Sequence, residues 1–152
     1  MLNGEQTLYV VGFLFDKDMS HVALITKDRP AWQKGRLNGI GGKLQVGELS
    51  MEAMAREANE EAGVLGVKWQ QFCVLSGPEF CLYCFFAIGD PTLAKAQENE
   101  HVGCYDVELV LNGFVQTIPN VRWLIAMARS FREGEHAIGF CIREIYEKGT
   151  TD

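Results

Sequence analysis

A chain of 152 residues with 47% hydrophobic and 22% charged side chains can bury a real core without disulfide or metal staples. A net charge of −6 excludes the basic face that duplex nucleic acid demands, although a metal ion can still join acid to phosphate. No apolar run is long enough to span a membrane, and the start, MLNGEQTLYVVGFLF, has neither a basic leader nor a small-residue cleavage site. Five cysteines, an odd number, fit a reducing cytoplasm better than a disulfide framework. The expectation is one domain over 1–152, with no membrane or duplex partner.

TLYVVGFLF (7–15) is rich in β-branched and aromatic residues and reads as a strand. HVALITK (21–27) reads as a second, joined to the first by a turn as a hairpin. DRPAWQKGRLNGIGG (28–42) carries four glycines and a proline and reads as a long loop. Ser50 is a helix N-cap with Glu52 in the first turn. Met51, Met54, Ala55, Ala58 and Ala62 then form an apolar stripe, and Gly63 supplies a left-handed stop. KWQQFCVLSG (68–77) and EFCLYCFFAIG (79–89) are β-rich runs split by a Gly-Pro turn. DPTLAKAQENEHVG is polar and without period, and CYDVELVL (104–111) reads as a strand. Pro119 opens a second helix, with Val121, Leu124, Ile125, Ala128 and Phe131 at helical spacing. HAIGFCIREIY (136–146) reads as a closing strand, with a helix as the second reading. Strands alternating with helices in this order point to a mixed α/β sandwich.

The first helix ends in REANEEAG, which puts Glu57, Glu60 and Glu61 near its C-terminus. At about 100° per residue the three carboxylates fall within an arc of about 100°, beside the apolar stripe. The pairs 57/60 and 57/61 repel by about 0.2–0.5 kcal/mol each. Acid in the last turn costs about 0.3–1 kcal/mol more against the helix dipole. A divalent cation reverses the sign of both effects, and an oxygen-only donor set suits Mg²⁺ or Mn²⁺ rather than Zn²⁺. On these glutamates alone, a solvated acidic face is the other reading.

The spacing around them decides. Gly42, Glu48, Arg56, Glu57, Glu60, Glu61, Gly63 and Val64 fall in one window, 42–64. This pattern resembles the Nudix box, with every fixed position met and one departure: Ala58 stands where that family prefers a larger aliphatic residue. The resemblance implies a Nudix fold, an α/β/α sandwich around a mixed β-sheet. It also implies hydrolysis of a nucleoside diphosphate linked to another group, with Mg²⁺ or Mn²⁺. By the same resemblance Glu57, Glu60 and Glu61, with Gly42, hold the metal, and one glutamate activates water. Arg56 orients a carboxylate, Glu48 supports the loop and Arg56, and Gly63 ends the helix. Gly41 and Gly42 let the backbone approach the phosphates, and Lys43 meets a phosphate as a point charge. A fourth carboxylate is expected from QENEH (97–101), as Glu98 or, preferably, Glu100, with a solvated polar loop as the plain alternative.

GRLNGIGGKLQVGE (35–48) is similar to the MutT-type branch, whose members sanitise oxidised purine nucleotides. There an Asn beside a Pro at the start of the second helix reads the purine edge, and Pro119 and Asn120 stand at the corresponding place. Asn120 is either this reader or a helix cap. Asn38 faces base or ribose, or is a turn residue with positive φ. Trp32 stacks on a base, or packs on the sheet. The expected substrate is a (deoxy)nucleoside triphosphate, cleaved to monophosphate and pyrophosphate. Pro78 and Tyr83 lie near marks of the ADP-ribose and dinucleoside polyphosphate branches, which stay as alternatives, as does a binding module without turnover. Lys34 and Arg36 stand ready to attract an anion. Relatives occur as monomers or homodimers. CLYC (81–84) has metal-like spacing, but positions three apart on a strand face opposite ways.

Overall fold

The computed structural model describes residues 5–133 and 140–143. β1 (Thr7–Phe15) is the spine. It pairs in parallel with β6 (Phe80–Ile88) along its whole length, from Thr7↔Phe80 to Phe15↔Ile88. Its other edge is shared by two antiparallel partners. β4 (Ile40–Lys43) takes Tyr9 to Gly12, and β2 (His21–Thr26) takes Leu14 and Phe15. β2 also carries β3 (Leu37–Asn38) and β7 (Val102–Asp106), while β5 (Gln70–Ser76) joins β6 to β8 (Phe140–Arg143). These strands make one mixed sheet.

Strand alternation sorts the core into two layers. Val11, Phe13, Phe15, Leu24 and Phe72 pack under α3 (Pro119–Arg132), whose Val121, Leu124, Ile125 and Ala128 are buried as its period requires. Val10, Leu14, Ile25, Trp69 and Phe85 pack under α1 (Ser50–Ala62). Helices on both faces of a mixed sheet make the α/β/α sandwich. α2 (Val107–Leu111) adds Val107 and Val110 to the α3 side.

Several expectations need correction. Residues 28–42 are not one loop. They hold a 3₁₀ turn at Ala31–Gln33, β3 and most of β4. The glycines hid the strand because they serve close approach. A Cβ on Gly41 would stand 1.9 Å from the Val10 carbonyl oxygen. Residues 104–111 are half strand and half helix. Asp106 accepts the Glu108 and Leu109 N–H groups and starts α2, which the β-branched content concealed. Leu49, not Ser50, precedes the first turn of α1, and Glu52 reaches back to the Leu49 N–H at 2.9 Å. The buried stripe of α1 is Ala53, Met54, Ala58 and Ala62, whereas Met51 and Ala55 are exposed. Small side chains let this helix lie low on the sheet, and Ala58, the departure from the box, is fully buried there. The closing strand is described only over Phe140–Arg143; the rest of 136–146 lies outside the described residues.

Gly63 ends α1 at φ 63°, and its N–H returns to the Ala58 and Asn59 carbonyls. An L side chain there costs about 1–2 kcal/mol. Its Cβ would also stand 3.0 Å from the Gln97 amide. Gly63→Ala is expected to lower Tm by about 2–8 °C in calorimetry. An unchanged Tm would contradict the left-handed stop.

Candidate active site

The C-terminal half of α1 presents its acids toward β4, and Arg56 gathers them. Its Nε donates to Glu48 Oε2 at 2.7 Å and its Nη2 to Glu48 Oε1 at 3.0 Å, a two-pronged pair. Nη2 also donates to the Lys43 carbonyl at 3.0 Å. Nη1 donates to Glu57 at 2.9 Å and to Glu60 at 3.0 Å. One guanidinium thus holds three carboxylates and the end of β4. The hydrogen bonds from Arg56 lower the Glu48 pKa, with help from the Gln45 N–H, and those to Glu48 raise that of Arg56.

Glu61 has no such cation. Its Oε2 accepts the Gly41 N–H at 3.1 Å. Burial lifts its pKa from the ordinary 4.5 to about 7; the Glu57 and Glu100 charges add to the rise, and the Gly41 N–H and Lys27 oppose it. Glu57 is also raised, first by burial and then by the Glu60 and Glu98 charges, against the pull of Arg56. Gly42 lies against this pair, since a Cβ there would stand 2.5 Å from Glu57 Oε1.

The polar segment after β6 closes over the same helix end. Lys95 N–H donates to the Ala62 carbonyl at 3.0 Å and Gln97 N–H to the Glu61 carbonyl at 3.2 Å. Helix ends leave such carbonyls unpaired, so this loop completes α1 while bringing up its own acids. Glu98 is exposed. Glu100 accepts from Lys27 Nζ at 3.3 Å and from the Asp28 N–H at 2.6 Å. Among the described residues no three His, Cys, Asp or Glu side chains converge as a ready-made metal site. Glu57 and Glu60 turn to Arg56, and Glu61 turns to the Gly41 amide. The donors still fit a hard divalent cation. They are all oxygen and they crowd at one helix end, where burial, with the neighbouring acids, raises the Glu61 pKa.

A cleft of about 600 Å³ opens beside Gly41 and Gly42 on the α3 side of the sheet. Tyr9, Leu75, Phe80 and Leu82 form its floor, with Lys27, Trp32, Asn38, Asn120 and Trp123 around it. Asn38 lies in β3 and is not a positive-φ turn residue; its Oδ1 accepts the Gly39 N–H at 2.8 Å. Trp32 is 59% exposed at the rim, so it does not pack on the sheet. Asn120 does not cap its helix: the position before Pro119 is Ile118, with no side-chain cap. Its Oδ1 is buried and accepts no hydrogen bond. The Lys43 side chain is exposed and does not line the cleft, nor do Lys34 and Arg36. Tyr83 packs in the α1 layer, on the far face of the sheet. Cys84 lies in the α3 layer opposite Cys73, with its strand neighbour Cys81 elsewhere. Lys27, Tyr9, Leu82 and Trp123 escaped the sequence reading. Alternation put Tyr9 and Val11 on one face of β1, but only the parallel register with β6 brings Leu82 beside them.

The NUDIX domain family model matches residues 6–124, so the chain belongs to the Nudix family. Solved structures share the fold at low identity. A MutT structure from work on Aliivibrio salmonicida and Vibrio cholerae is 22% identical, covers 79% of this chain and 96% of its own, and has a TM-score of 0.64. The NUDIX domain of Shewanella oneidensis NrtR, complexed with ADP ribose, is 19% identical over 84% of this chain and 89% of its own, with a TM-score of 0.73. An ADP-ribose pyrophosphatase from Streptococcus suis is 17% identical over 91% and 99%, with a TM-score of 0.65. No curated protein matches the chain. The family model establishes the family, and the solved structures share its fold.

Glu61 sets a pH dependence. Between 4.5 and about 7 the folded chain holds a proton that the unfolded chain has released, so stability falls as pH rises through that window. Glu57 acts in the same direction. Without divalent metal, stability is expected to fall by about 1–3 kcal/mol from pH 5 to pH 8 in urea unfolding. Glu61→Gln should flatten the profile. A wild-type profile that rises over this range would contradict the site's electrostatics.

Proposed function

We propose that this chain hydrolyses a (deoxy)nucleoside triphosphate with a purine base, oxidised purines included, to the monophosphate and pyrophosphate. The observation that carries it is the buried Asn120 Oδ1, unpartnered in a cleft that runs up to the acidic end of α1. An unpaired buried acceptor costs about 1–3 kcal/mol, and a base N–H removes that cost. A purine oxidised at C8 has an N–H at position 7, where the ordinary base has only an acceptor. Asn38, with its Oδ1 taken, offers its NH₂ from across the cleft. Trp32 at the rim and the apolar floor supply stacking and contact area.

In this reading Glu57, Glu60 and Glu61 would hold Mg²⁺ or Mn²⁺ beside Gly42, with Arg56 fixing Glu57 and Glu60 and the Gly41 N–H fixing Glu61. The ion neutralises the diphosphate and lowers the pKa of an attacking water. Glu61 and Glu100 are the carboxylates set to take the proton from that water. Gly41 and Gly42 let the β4 backbone lie against Val10 and Glu57 at the edge of the cleft. Lys43 serves as a phosphate contact only by swinging in from solvent. An exposed free Cys104 fits a reducing cytosol. ADP-ribose is the runner-up substrate, favoured by the similarity to the NrtR domain that binds it.

Glu60→Gln and Glu61→Gln should each lower kcat by about 100-fold or more with KM little changed. Activity within a few-fold of wild type would contradict their role as metal ligands. Asn120→Ala should lower kcat/KM on purine triphosphates by about 10- to 100-fold and on pyrimidine ones far less. Equal losses would remove Asn120 from base reading.

A further inference from the structure

Glu100 follows the loop residues Lys95 and Gln97, whose N–H groups bond the last carbonyls of α1 without reaching its side chain. Two outside groups grip its carboxylate: Lys27 Nζ at 3.3 Å on one oxygen and the Asp28 N–H at 2.6 Å on the other. Both belong to the turn that leaves β2. That turn is anchored on each side. Lys27 N–H donates to the Arg36 carbonyl at 2.9 Å, and the Lys27 carbonyl accepts the Gly35 N–H at 2.8 Å. Thr26 N–H donates to the His101 carbonyl at 2.8 Å, which pins the residue next to Glu100. The ion pair is largely sheltered, with side-chain exposures of 18% for Lys27 and 20% for Glu100. A bond in such shelter is screened less than one at the surface. Lys27 also lines the cleft, while its amine is bonded to the carboxylate. Lys27 and Glu100 are both close enough to Glu61 to act on its charge.

We propose that Lys27 is a positioning residue, whose amine, with the Asp28 amide, fixes the Glu100 carboxylate beside Glu61. Its value for hydrolysis rests on the function proposed above; its structural half does not. The Glu100 carboxylate is held from the β2–β3 turn, while Lys95 and Gln97 tie its loop's backbone to α1.

The first test needs neither metal nor nucleotide. Hydrogen-exchange protection of the Asp28 amide is compared in wild type, Lys27→Met, Lys27→Arg and Glu100→Ala. Lys27→Met and Glu100→Ala should each reduce protection by about tenfold, with Lys27→Arg retaining most of it. Unchanged protection in Lys27→Met, or in Glu100→Ala, would overturn the proposal. Lys27→Gln replaces Lys27→Met if the latter does not fold. The second test is a double-mutant cycle on turnover. Lys27→Met should lower kcat by about tenfold in wild type and by less than about twofold in a Glu100→Gln background. Losses that multiply would mean that Lys27 acts on substrate directly, and would overturn the positioning role. A wild-type protein that hydrolyses no nucleotide would remove the proposed function, and the exchange measurement alone would then decide the role of Lys27.

Discussion

The Arg56 guanidinium is the interaction on which the site depends. Three glutamates at the end of a helix repel one another and oppose the helix dipole. Arg56 offsets this by holding Glu57 and Glu60 on one nitrogen and Glu48 on two others, while its remaining bond fixes the Lys43 carbonyl. A guanidinium can do this because its planar fork serves several oxygens at once, which an ammonium cannot. Helix, loop and strand therefore meet at one side chain. Glu61 lies beyond its reach and takes the Gly41 N–H instead, and burial lifts its pKa to about 7, with the Glu57 and Glu100 charges adding to the rise.

The sheet explains why this site has a neighbour. β1 gives one edge to two partners, β4 at its start and β2 at its end. The glycines of β4 place backbone amides against Glu61 on the α1 side and open the cleft on the α3 side. The acidic helix end and the cleft under the N-terminus of α3 are thus two sides of one thin strand. The segment 95–100 completes the arrangement by pairing with the last carbonyls of α1 and so carrying Glu98 and Glu100 to it.

Much of this was legible in the residues, for local reasons. The spacing from Gly42 to Val64 identified the carboxylate cluster, since helical angles follow from separation alone. The hairpin β1–β2, the stop at Gly63 and the start of α3 at Pro119 carried their own chemical signals. What escaped depends on partners distant in sequence. β4 read as loop because the purpose of its glycines is visible only against Val10. That Asn120 is no cap, with its oxygen buried and without a partner, is a fact no spacing encodes. Lys27 looked like any strand-end lysine until Glu100, far along the chain, arrived beside it. Met51 and Ala55 fitted the apolar period yet face solvent, because the sheet meets α1 along a stripe shifted toward Ala53.

The central claim is that the acidic end of α1 and the adjoining cleft form a single metal-dependent nucleotide site. The most direct measurement follows product release by the wild-type protein, with and without Mg²⁺, over ordinary and C8-oxidised purine triphosphates, pyrimidine triphosphates, ADP-ribose and dinucleoside polyphosphates. The account predicts Mg²⁺-dependent release of monophosphate and pyrophosphate, fastest with purine triphosphates. Nucleotide binding in calorimetry with no product from any of these compounds would contradict it.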